Sequence, residues 1–161
     1  MGNPPAIMLI DDQRDWLRIN CKALDEAGFQ CEPFLDRTEA VKAFKDRPAR
    51  YVLVVVDVNL GGKPDGVAIA REILNIKPNT NLALISTDAQ LRGHEKDLEE
   101  IAQTTGLKYF RKKGDEEGGK QIVNIARQYF VSMPAASPAP KSSLSAGALQ
   151  TWEEANEQSA D

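Results

Sequence analysis

Histidine, cysteine and long apolar runs are what this sequence has least of. His94 is the only histidine and Cys21 and Cys31 the only cysteines in 161 residues. His94, in a polar stretch, lacks a second ligand for a metal role. Two cysteines without CxxC spacing make no disulfide framework, so two reduced, buried thiols are expected. No apolar stretch approaches the roughly 20 residues that cross a bilayer, and MGNPPAIMLI carries no basic segment ahead of its apolar one. A soluble, cytoplasmic protein without membrane contact is the expectation. Positive charge is not in excess: 24 acids outnumber 20 lysines and arginines, and the net charge of −4 speaks against nucleic acid as the main partner.

What is present suffices for one globular domain, with 42% hydrophobic and 27% charged residues. Composition changes at the end of the chain, where sixteen of the last 30 residues are Pro, Ser or Ala. Such a segment buries too little apolar area to offset its ordering entropy. The sequence therefore divides into a folded domain over 1–131 and a disordered tail over 132–161. A short helix at Leu149 to Gln158 is compatible with the tail's pattern, and Trp152 beside Glu153 and Glu154 reads as a solvated, frayed end, with a docking peptide as the alternative. The tail holds −3 of the net charge, leaving −1 for the domain.

Within the domain, strand and helix patterns alternate. Ala6 to Ile10, Gln30 to Leu35, Tyr51 to Val56, Asn81 to Ile85 and Lys108 to Arg111 read as strands. Asp15 to Ala27 has apolar residues at Leu17, Cys21 and Leu24 and is closed by Gly28. Arg37 to Lys45 is a second helix, with Thr38 or Asp36 available as its cap. Val67 to Ile76 is a third, a polar helix falls within Gln90 to Thr104, and Ile122, Ile125, Ala126, Tyr129 and Phe130 mark the last. Five strands alternating with five helices predict a doubly wound α/β sandwich of parallel strands, for which two strand orders are common. Ligands of such sheets sit outside the carboxyl ends of the strands.

The residues at those ends are Asp11 and Asp12, Asp57, Ser86 and Thr87, and Lys112. Three neighbouring carboxylates repel one another and raise a pKa unless a cation compensates. An oxygen-only ligand set suits Mg²⁺, which accepts one or two carboxylates together with phosphate oxygens. A carboxylate beside a metal, a lysine and a hydroxyl is a site for phosphoryl transfer onto Asp57. Singly, an aspartate at a strand end reads as a helix cap and Lys112 as a solvated lysine; their joint occurrence at four strand ends carries the argument.

IMLIDDQ, VVVDVNL, the DG of KPDGVAIA, ALIST and YFRKK resemble the receiver domains of two-component response regulators, over about Pro5 to Val131. The resemblance implies a flavodoxin-like fold with strand order 2-1-3-4-5 and Asp57 as phosphoacceptor. It implies Asp12, Asp57 and the main-chain carbonyl of Asn59 as Mg²⁺ ligands, with Asp11 completing the acidic pair. Ser86, or Thr87 beside it, matches the switch hydroxyl, Lys112 the site lysine and Tyr109 the aromatic that changes rotamer. It implies a histidine kinase or histidine phosphotransfer protein as donor and an unidentified output protein as target. Nothing after residue 131 resembles a DNA-binding domain, so output by protein contact, without direct DNA binding, is expected. No enzymatic activity is expected beyond its own phosphorylation and dephosphorylation. A phosphatase with an aspartyl-phosphate intermediate is the third reading, disfavoured by Asn59 where a second acid belongs.

The chain departs from that family at four places. Gly61 and Gly62 stand in a longer loop after Asp57, Thr87 follows Ser86, and Lys113 follows Lys112 where a cis proline is usual. A non-proline cis bond costs about 2.5–4 kcal/mol, so a trans path is expected. The fourth departure is a long, charged 88–105 segment, which predicts unusual docking on that face and an exposed His94. These changes keep a pseudo-receiver, a binding module not switched by phosphate, as the alternative.

Overall fold

In a computed structural model, the described residues are 4–58, 60, 65–87, 96, 100, 103 and 108–130. The strands are β1 (Ala6–Ile10), β2 (Gln30–Phe34), β3 (Tyr51–Asp57), β4 (Leu82–Ser86) and β5 (Lys108–Arg111). They form one parallel sheet in the order β2-β1-β3-β4-β5, a flavodoxin-like doubly wound arrangement. Strand alternation sorts the core into two layers. Met8, Ile10, Val54, Val56, Leu82 and Leu84 face one side, where α2 (Arg37–Asp46) and α3 (Asp65–Ile76) cover them. Ile7, Leu9, Leu53, Val55, Ala83 and Ile85 face the other, under α1 (Arg14–Glu26) and α4 (Asp115–Phe130). Both faces of β3 are covered, which is why its sequence is an unbroken apolar run.

Helix ends follow local chemistry. Asp36, rather than Thr38, caps α2 by accepting from Glu39 N at 3.0 Å. Gly28 adopts φ 92°, and Gly28 N donates to Asp25 O while Phe29 N donates to Leu24 O, closing α1 as a Schellman motif. The predicted bounds shift by a residue or two: β3 continues through Asp57, β4 ends on Ser86 and α3 begins at Asp65. Of the polar helix expected over 90–104, Lys96, Glu100 and Gln103 are described, and each is helical and exposed. His94 and the tail lie outside the described residues.

The cysteines overturn their expectation. Cys21 on α1 and Cys31 on β2 form a disulfide, with Cα atoms 5.4 Å apart. A ten-residue spacing across a helix end and a turn carries no pairing signal; packing of α1 over β2 brings the two within disulfide range. Closing a loop of this length contributes about 2–3 kcal/mol. Unreduced, denatured protein should therefore show no free thiols by alkylation and mass measurement. Reduction should lower its thermal midpoint by roughly 6–10 °C. Two reactive thiols before reduction would restore the reading as buried free cysteines.

Candidate functional site

The site lies where β1, β3, β4 and β5 end. Asp11 follows β1 directly and its backbone N–H donates to Phe34 O, while its Oδ1 accepts from Gln13 N at 2.8 Å. Asp57 is the last residue of β3 and registers against Ile85; Val58 N then donates to Ile85 O at 2.9 Å. β3 and β4 thus stay paired past the acid, which fixes where its side chain emerges. Lys112 follows β5, held by its N–H to Ser86 O at 2.7 Å.

Three of these groups meet in a nearly dry setting. The Lys112 ammonium lies 2.6 Å from Asp11 Oδ2 and 3.1 Å from Asp57 Oδ2. Both carboxylates are fully buried and the lysine side chain is only 4% exposed. Burial, then the charge of Asp57, pushes the Asp11 carboxyl up to about 7, against the opposing effects of Lys112 and the Gln13 N–H. Asp12 is exposed, yet Asp11, Asp12 and Asp57 offer carboxylate oxygens within 4.8 Å of one another. Three carboxylates whose oxygens converge this closely fit a hard divalent cation with oxygen ligands. Asn59 lies outside the described residues.

Ser86 is buried at the end of β4, one residue beyond the partner of Asp57, and its hydroxyl lies 3.4 Å from Thr87 O. Thr87 is half-buried and lines a cavity shared with Lys112. Tyr109 is half-buried, its hydroxyl donating to Ser86 O at 3.3 Å. The Lys112–Lys113 bond is trans, as the missing proline predicts. Gln121 braces this loop from α4, donating to Arg111 O and accepting from Lys113 N at 3.2 Å.

Three features escape the sequence reading. Gly66 packs against the backbone of Asp57 and Val58, and a Cβ there would lie 2.0 Å from Asp57 O. The DG dipeptide announces only a helix start. Trp16 places its ring 4.7 Å from the Lys112 ammonium. Gln121 replaces the rigidity a proline would supply. Trp16 and Lys112 are far apart in the chain, and the other two contacts cross a loop of eight to ten positions, beyond the reach of helix or strand periodicity.

Comparison with known proteins agrees with this geometry. The receiver domain protein of Clostridium thermocellum superposes with a TM-score of 0.64 at 20% identity, covering 80% of this chain and 99% of that one. The receiver domain of NtrX from Brucella abortus gives 0.63 at 22% identity, covering 79% and 99%. These likenesses establish the fold. In sequence, 33% identity over 86 residues relates the chain to the C4-dicarboxylate transport transcriptional regulatory protein DctD of Rhizobium meliloti (strain 1021). That match spans 53% of this chain and 18% of that protein. The response regulator receiver domain model matches residues 7–124, from β1 into α4. With the match running through every strand and the acids, hydroxyl and lysine at the strand ends, the chain belongs to the response regulator receiver domain family.

Proposed function

We infer that the chain accepts a phosphoryl group on Asp57 from a histidine kinase or histidine phosphotransfer protein and thereby controls a protein partner. The observation that carries this reading is the Lys112 ammonium held between two fully buried carboxylates, one of them Asp57. An Asp57 oxygen bonds to phosphorus as the donor's bond breaks, and Lys112 meets the incoming phosphoryl oxygens as a fixed point charge. Asp12 and Asp57, with Asp11 behind them, would hold Mg²⁺ together with the Asn59 carbonyl, and the ion would neutralise phosphoryl oxygens during transfer. The phosphorylated side chain carries about −1.5 to −2 charges and new acceptors beside Ser86 and Thr87. Tyr109, bonded to the Ser86 carbonyl, links that change to the β4–β5 face. Two packings of this face, read by a partner, constitute the switch.

The same reading has the chain catalyse only its own phosphorylation and dephosphorylation, act in the cytoplasm and signal through protein contact rather than DNA binding. Its net charge of −4 supports the last point, and none of the helices searched among the described residues is long and apolar enough to cross a membrane.

Intact mass with acetyl phosphate and Mg²⁺ tests it. A gain of about 80 Da that requires the metal is expected, and Asp57→Asn should abolish it. No gain in folded protein would overturn the reading in favour of a pseudo-receiver binding module, and labelling that survives Asp57→Asn would mean another acceptor.

A further inference from the structure

Lys112 has a third neighbour besides its two carboxylates. Its ammonium lies 4.7 Å from the centroid of the Trp16 ring, in cation–π range. Trp16 sits in the first turn of α1 and packs against the Ile7–Leu9 layer of the core. One turn on, Asn20 is 1% exposed and donates to Trp16 O at 2.7 Å, fastening the backbone that carries the ring. The indole N–H is buried with no acceptor among the described residues, so none of those orients the ring by a hydrogen bond. Its polar engagement is with the lysine.

A lysine side chain is long and flexible, and two acceptors do not fix it. Beside it opens a cavity of about 520 Å³, lined by Trp16, Asn20, Thr87, Lys113 and Gly118 among others. Without the ring, the ammonium has room to turn from the carboxylates toward water in that cavity. We propose that Trp16 is a positioning residue that covers the Lys112 ammonium with its ring face and holds it against Asp11 and Asp57. Its effect on phosphoryl transfer rests on the reading of Asp57 as acceptor; the contact itself does not.

The full chain with Trp152→Phe, leaving Trp16 as the single tryptophan, serves as parent for two variants. Trp16→Leu keeps apolar bulk without a ring face, and Trp16→Phe keeps a smaller ring. Proton NMR should show the terminal methylene signals of Lys112 shifted upfield by the ring, identified by their loss in Lys112→Gln. The shift should vanish in Trp16→Leu and persist in part in Trp16→Phe; unshifted Lys112 signals in the parent overturn the proposal. With acetyl phosphate and Mg²⁺, Trp16→Leu should slow the gain in mass by roughly tenfold and Trp16→Phe by about threefold or less. In a Lys112→Gln background Trp16→Leu should add nothing. Equal slowing by Phe and Leu, or slowing that persists without Lys112, would make the ring a packing element only and overturn the proposal. A parent that gains no mass overturns the acceptor reading, and the NMR shift still decides the contact.

Discussion

Asp11→Asn should raise the thermal midpoint of the metal-free protein at about pH 8 by roughly 6–15 °C. Two buried carboxylates meet at the Lys112 ammonium here, and their mutual repulsion has little solvent to screen it. The Asp11 carboxyl is pushed from its ordinary value of 3.8 to about 7, first by burial and then by Asp57. Between about pH 4 and pH 7 the folded state therefore binds more protons than the unfolded chain, so stability falls as pH rises through that window and levels off above it. The charged form costs on the order of 2–4 kcal/mol at about pH 8. Asparagine removes that charge, keeps an oxygen to accept from Gln13 N, and leaves Lys112 paired one to one with Asp57. Scanning calorimetry from about pH 5 to pH 8 should show the parent losing stability and Asp11→Asn changing less. Millimolar Mg²⁺ should restore the parent at the higher pH and do little for the variant. A variant no more stable than the parent at about pH 8 would mean that the buried charge is already compensated.

Gly66→Ala is the second large effect, and it acts through the backbone. The added Cβ would stand 2.0 Å from Asp57 O and 2.6 Å from Val58 Cα, both main-chain atoms that no rotamer change can move. Relief requires α3 to back away from the end of β3, straining the Gly66 N to Val58 O bond at 3.0 Å. Overpacking that forces such a shift costs about 2–4 kcal/mol. Denaturant unfolding should show that loss, and phosphorylation by acetyl phosphate should slow roughly tenfold or more because Asp57 moves with the backbone. Gly114→Ala is the matched control. Nothing lies within 4 Å of a Cβ there, so its stability should stay within about 0.5 kcal/mol of the parent. Equal stability of the two variants would show that the β3–α3 junction gives way easily.

Much of the architecture is legible because it repeats along the chain. The apolar run Tyr51 to Val56 identifies a strand covered on both faces, and Leu17, Cys21 and Leu24 identify the buried stripe of α1. Gly28 marks the end of that helix because only glycine takes its φ without strain. From the alternation of elements come parallel strands and a site at their carboxyl ends, where Asp11, Asp12, Asp57 and Lys112 are indeed assembled. Composition also misled: two cysteines without a motif read as free thiols, and the fold pairs them across two layers.

Local periodicity and residue type, which depend on neighbours a few positions away, were enough to determine the five strands and the four bounded helices among the described residues, the layers and the edge of the sheet that carries charge. Tertiary structure alone decided which atoms meet. Lys112 reaches Asp57 across 55 positions and rests on Trp16, Cys21 finds Cys31, and Gly66 is pressed against the strand that bears Asp57. The physical reason is range. Hydrophobic burial is non-directional and sets the layers from composition and period, whereas charge pairing, disulfide closure and backbone contact depend on ångström-scale distances that exist only once those layers have packed.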